Sequence, residues 1–204
     1  MGSYFSSETP RIVFVEGNIG AGKTSVLKEL QKQGHIVICE DVENWTFLSM
    51  RYTDPKRWLF TLQIEIAATM QEKLGTALET TPPDKTIFVE RSLVSSLLFA
   101  EVARDNKIMT AQEFTLLNYL CAKSIEKLNT IRTNTIYLKC NTQTCLERIK
   151  YRNRNTETTD ISLQYLNSLN TIMDDTFATA NLTLEAESPC HTLALRIAEH
   201  YELI

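Results

Sequence analysis

The chain has 204 residues, with 25 acidic side chains against 21 basic ones and a formal net charge of −4. This length suits one α/β domain with room for a sizeable core. The acidic balance argues against a general nucleic-acid binder, so an anionic ligand must be held by local charge. Five scattered cysteines (Cys39, Cys121, Cys140, Cys145 and Cys190) lack metal-ligand spacing and read as reduced thiols of a cytoplasmic or nuclear protein.

Residues 1–10 read as a disordered tail closed by Pro10, with residues 11–204 as a single domain. Met1-Gly2-Ser3-Tyr4-Phe5-Ser6 fits the loose pattern for acylation at Gly2, although a floppy tail is the default for such a start. Arg11-Ile12-Val13-Phe14-Val15-Glu16 is a buried strand by its β-branched and aromatic content. Gly17-Asn18-Ile19-Gly20-Ala21-Gly22-Lys23-Thr24 follows, and Ser25 to Gln31 then carries apolar residues at helical intervals until Gly34 stops the helix. His35 to Cys39 is a second strand, ending in Glu40-Asp41-Val42-Glu43-Asn44-Trp45. Tyr52-Thr53-Asp54-Pro55-Lys56 reads as a turn opening a helix that continues from Trp58 to Leu74.

Pro82-Pro83-Asp84 breaks the chain before a third strand, Thr86 to Val89, which runs into Glu90-Arg91-Ser92. Helices are expected over about 93–104 and 111–129, a fourth strand over 134–140, a basic helix over 142–154 and another helix over 161–178. Residues 181–186 form a fifth strand and 190–201 a closing helix. Strands alternating with helices, each strand nearly continuous in apolar residues, predict a five-stranded parallel sheet covered on both faces. The apolar runs are too short to span a bilayer. Ligands of such sheets sit beyond the carboxyl ends of the strands.

The glycine loop fits G-x-x-x-x-G-K-[ST] in its required setting of strand, loop and helix. Backbone N–H groups from Gly17 to Ser25 would cradle the phosphates of a nucleoside triphosphate at the helix N-terminus. Lys23 would reach the β- and γ-phosphates, and the Thr24 hydroxyl would ligate Mg²⁺. Glu40 ends the second strand beside this loop, which suits a general base for a hydroxyl attacking a γ-phosphate, with Asp41 as the runner-up. Arg148, Arg152 and Arg154 lie at intervals that let guanidinium groups converge on a triphosphate from a lid at about 148–160.

Taken together, Glu40-x-Val42-Glu43-x-Trp45, Tyr52-x-Asp54-Pro55-Lys56-x-Trp58, Gln63, Glu90-Arg91-Ser92 and Arg148-x-x-x-Arg152-x-Arg154 resemble the cellular-type deoxyribonucleoside kinases from about Arg11 to the last strand. The resemblance implies a P-loop kinase fold with an arginine-rich lid and transfer of the γ-phosphate of ATP to a deoxynucleoside 5′-hydroxyl. It implies that Arg91 binds the 5′-oxygen and helps hold Glu40, and that Glu90 supports Mg²⁺. It gives Arg148 an adenine-facing role and assigns Arg152 and Arg154 to the phosphates. Tyr52 and Glu157 match the positions that bind the sugar 3′-hydroxyl, Trp45 and Met70 wall the base, and Gln63 can pair with a pyrimidine edge. Met70 and Ser96 stand where deoxycytidine kinase carries an Arg–Asp pair, so a thymine methyl should fit: thymidine is the expected acceptor, with deoxycytidine second. Leu62 and Ala100 stand where relatives place aromatic residues against the base; Phe99 is adjacent, but one helical residue rotates a side chain by about 100°, so it is not expected to substitute. The resemblance also implies a homodimer built on helices near 57–74 and 111–129. Alternatives are a thymidylate-kinase-like nucleotide kinase, whose anionic acceptor Glu40 would repel, and a non-catalytic P-loop nucleotide-binding protein.

Overall fold

The computed structural model describes residues 9–152 and 161–203. Elements follow in the order β1 (Arg11–Glu16), α1 (Lys23–Lys32), β2 (Ile36–Ile38), α2 (Leu48–Thr53), α3 (Pro55–Thr80), β3 (Thr86–Glu90), α4 (Leu93–Asp105) and α5 (Ala111–Leu128). The second half adds β4 (Thr133–Lys139), α6 (Thr142–Arg152), α7 (Leu163–Thr176), β5 (Leu182–Glu185) and α8 (Cys190–His200). The strands form one five-stranded sheet in the order β2-β3-β1-β4-β5. Every pairing is parallel, with Val13 opposite Phe88 on one side and Asn134 on the other.

Alternation along β1 explains why its sequence is apolar throughout. Val13 and Val15 pack with Val26, Leu27 and Leu30 of α1 and with Leu193 and Ile197 of α8. Ile12 and Phe14 point the other way, toward Leu74 of α3 and Leu128 of α5. Covering both faces removes any reason for a polar stripe. β1 is the middle strand, so the loop at its carboxyl end emerges at the centre of the sheet edge where ligands bind.

Two segments differ from the expectation. The stretch read as a turn at 52–56 is the junction of two helices, because Leu48–Thr53 is itself helical. Asp54 caps α3 by accepting a hydrogen bond from Arg57 N at 3.1 Å, and Pro55 takes the first helical position, where its missing N–H does no harm. α3 then runs to Thr80, and the chain leaves the helix just before Pro82. β2 is shorter than read and only half-buried, as befits a strand at the sheet edge. Among the described residues no helix is long and apolar enough to cross a membrane. The acylation pattern at Gly2 lies outside the described residues.

Candidate functional site

The loop between β1 and α1 owes its shape to glycine. Gly17 and Gly20 have φ of 148° and 81°, a region that side chains disfavour. A Cβ on Gly20 would lie 2.5 Å from the Cys145 carbonyl oxygen, and one on Gly17 would lie 2.7 Å from that of Leu138. The loop therefore nests against the ends of β4 and α6. Gly22 caps α1 without a side-chain hydrogen bond, so the first amides of the helix remain for an anion. Residues from Ile19 to Ser25 line a cavity of about 910 Å³.

Gly17 and Asn18 stand behind that wall. The Asn18 amide donates to Leu166 O at 2.9 Å and its oxygen accepts from Ile19 N at 2.8 Å, which fastens the loop to α7. Lys23 Nζ donates to the carbonyls of Gly17 and Asn18 at 3.2 and 2.9 Å. Burial, and next the positive charge of Arg91, lower its pKa to about 8, against the pull of Glu90, Glu40 and Glu16.

The carboxyl ends of β2 and β3 bring Glu40, Glu90 and Arg91 together beside this loop and Thr24 of α1. Thr24 Oγ1 donates to Glu90 Oε1 at 2.6 Å, and Glu40 N donates to Glu90 Oε2 at 3.2 Å. Arg91 Nε lies 3.2 Å from Glu40 Oε1, while its Nη1 donates to Gly17 O at 2.8 Å. Burial raises the Glu40 carboxyl above its usual range, and Arg91 opposes that rise. Asp41 faces elsewhere. Its oxygens accept from Lys73 at 3.1 Å and Asn44 at 2.8 Å, which leaves Glu40 as the carboxylate against the phosphate loop.

Trp45, Tyr52, Gln63, Met70 and Ser96 share the wall of the same cavity. Gln63 is 4% exposed, yet its Oε1 takes no hydrogen bond among the described residues, and Trp45 Nε1 is likewise unpartnered. Glu65 holds the loop carrying Trp45 by accepting from Thr46 N and Phe47 N at 2.8 and 3.1 Å. One expectation is corrected here. Ala100 is wholly buried in a cluster with Leu59 and Leu117, whereas the neighbouring Phe99 faces the cavity with Arg91 Cζ 4.9 Å from its ring centroid. The pocket therefore keeps an aromatic wall, supplied one residue earlier than the resemblance implies.

Arg148 and Arg152 line the opposite end of the cavity, with Ala186 to Cys190 after β5. Arg148 Nη2 donates to Ala186 O at 2.9 Å and Nη1 to Ala21 O at 3.3 Å. Arg154 and Glu157 lie outside the described residues. Three residues of the site escaped the sequence reading. Glu16 carried a signal, being the one carboxylate in an apolar strand directly ahead of the glycine loop. Arg51 and Tyr165 carried none; both line the cavity, and the burial-raised Tyr165 phenol feels the charges of Arg51 and Arg91.

This geometry has counterparts among known proteins. The chain is 32% identical over 161 residues to a putative deoxynucleoside kinase of Frog virus 3 (isolate Goorha), covering 78% of this chain and 79% of that one. Human deoxycytidine kinase is 31% identical over 203 residues, covering 80% and 75% of the two chains. Human mitochondrial thymidine kinase 2 is 27% identical over 177 residues, covering 82% and 64%. A structure of deoxyadenosine kinase from M. mycoides with bound dCTP superposes with a TM-score of 0.78 at 23% identity, over 95% of this chain and 100% of that one. With the deoxynucleoside kinase family pattern matching residues 13–199, nearly its whole length, the chain belongs to the deoxynucleoside kinase family.

Proposed function

We propose that this kinase transfers the γ-phosphate of ATP to the 5′-hydroxyl of thymidine, with deoxycytidine as a second acceptor. The observation that carries this reading is the placement of Glu40, with Arg91 at 3.2 Å, against the glycine loop and Lys23 on the wall of one cavity. A carboxylate there can orient the 5′-hydroxyl and accept its proton. Arg91 would donate to the 5′-oxygen, while Lys23 and the amides of Gly20 to Thr24 would bind the phosphates. Arg152, and Arg154 beyond the described residues, would complete the phosphate grip. The hydroxyl of Thr24 and the carboxylate of Glu90, 2.6 Å apart, are oxygen donors suited to Mg²⁺. Bound there, the ion would neutralise charge on the β- and γ-phosphate oxygens.

Support for a pyrimidine comes from Gln63 on the cavity wall, whose amide can offer one donor and one acceptor to the edge of a pyrimidine. Met70 and Ser96 place no charge beside the 5-position, which leaves space for a methyl group. Tyr52 and Glu157 would hold the 3′-hydroxyl. The enzyme is proposed to act as a homodimer in the cytoplasm or nucleus. Phosphorylation of the four deoxynucleosides with ATP and Mg²⁺ tests the assignment. Thymidine should turn over fastest, deoxycytidine next and purines poorly, with Lys23→Ala inactive. A purine preference would refute the acceptor assignment, and turnover of thymidine monophosphate in place of thymidine would refute the reaction.

A further inference from the structure

Glu16 is a carboxylate with no exposed surface, at the end of the central strand. A charge so placed needs donors around it. It has three, all at the start of α4: Ser92 N at 2.8 Å and Ser92 Oγ at 2.6 Å on one oxygen, and Ser95 Oγ on the other. The helix does not require this carboxylate as a cap, because Ser92 Oγ already accepts from Val94 N at 3.2 Å. What the contacts enclose is Arg91. Its own N–H donates to Val15 O at 3.0 Å, so the backbone on both sides of it is fastened to consecutive residues of β1.

Arg91 has a φ of 64°, a left-handed conformation that a residue with a side chain adopts only when its surroundings impose it. In that conformation Nε meets Glu40 and Nη1 meets Gly17 O, with the guanidinium over the Phe99 ring. An ordinary φ would turn the side chain off this line.

We propose that Glu16 is the positioning residue for Arg91: by gripping the amide of Ser92 and the hydroxyls of Ser92 and Ser95, it imposes the left-handed backbone that aims the guanidinium at the 5′-oxygen. The inference rests on the reading in which Arg91 meets that oxygen. Glu16 is not on the cavity wall; it acts through Arg91.

Glu16→Gln keeps the shape and removes the charge. Turnover should fall by about 10²-fold, the size of loss that misplacing a reacting group by about 1 Å brings, while KM for both substrates stays near the wild-type value. In an Arg91→Ala background the same substitution should have no further effect, because residues acting through one another are not additive. Ser95→Ala, a milder change that removes one donor, should shift turnover in the same direction and serves if the glutamine variant does not fold. Unchanged turnover, or an equal loss with and without Arg91, would overturn the proposal. A crystal structure of Glu16→Gln gives a readout independent of activity. Arg91 should leave the left-handed region and part from Glu40, and an unmoved Arg91 would refute the inference. A wild-type enzyme that phosphorylates no deoxynucleoside would instead defeat the proposed function, with the crystal structure still deciding the role of Glu16.

Discussion

Burial and charge set Glu40 against each other. Loss of water pushes its carboxyl up, and Arg91 draws it back. A general base works when deprotonated, so kcat/KM should decline toward acid pH at a value above the ordinary glutamate range, the decline marking protonation of Glu40. Glu40→Gln should abolish that titration and lower kcat by about 10²–10⁴-fold; a variant with full turnover would remove Glu40 from the mechanism. The residue was legible because a carboxylate at a strand end beside a phosphate loop has few structural reasons to be there. Its competitor Asp41 could not be dismissed from sequence, since the partner that turns it away, Lys73, lies on a different element. Phe99 failed for a related reason. Helical spacing relates residues within α4 but does not say which face meets the cavity, and only the packing of Ala100 against α3 and α5 shows it.

At the scale of elements, the loop after β1 is held by close backbone contacts as well as by hydrogen bonds. Gly20→Ala would bring a Cβ within 2.5 Å of the Cys145 carbonyl and hold a side chain at φ 81°. Strain in that backbone region is worth about 1–3 kcal/mol before any clash is counted. The variant should unfold at lower denaturant concentration and lose affinity for ATP; wild-type stability together with wild-type ATP affinity would show that the loop is looser than drawn. All five strands could be read from apolar residues bounded by turn residues, most plainly β1 and β3, which are buried on both faces and apolar almost throughout. α2 could not. Six residues, none of them buried, give too short a stretch for a periodic signal, and Asp54-Pro55 looks like a turn whether or not a helix precedes it.

For the whole molecule, strand order decides what meets what. Placing β3 between β2 and β1 sets Glu40, Glu90 and the glycine loop side by side, an adjacency that no local pattern encodes. The outer face of α5 raises the question of assembly. Leu116, Tyr119 and Leu120 are 49%, 59% and 40% exposed and fall on one side of the helix. Apolar stripes of this kind mark association surfaces, in keeping with the proposed homodimer. Sedimentation at micromolar concentration should give twice the chain mass, and a Tyr119→Glu, Leu120→Lys variant should halve it; a monomeric wild type would exclude the dimer. Arg148 has a wider consequence. Its two terminal nitrogens bind Ala21 in the phosphate loop and Ala186 in the segment after β5. A single guanidinium thereby ties the phosphate loop to the segment after β5. A shift of either segment would therefore be felt at once by the other, so a substitution in the stretch after β5 should disturb the glycine loop without touching it.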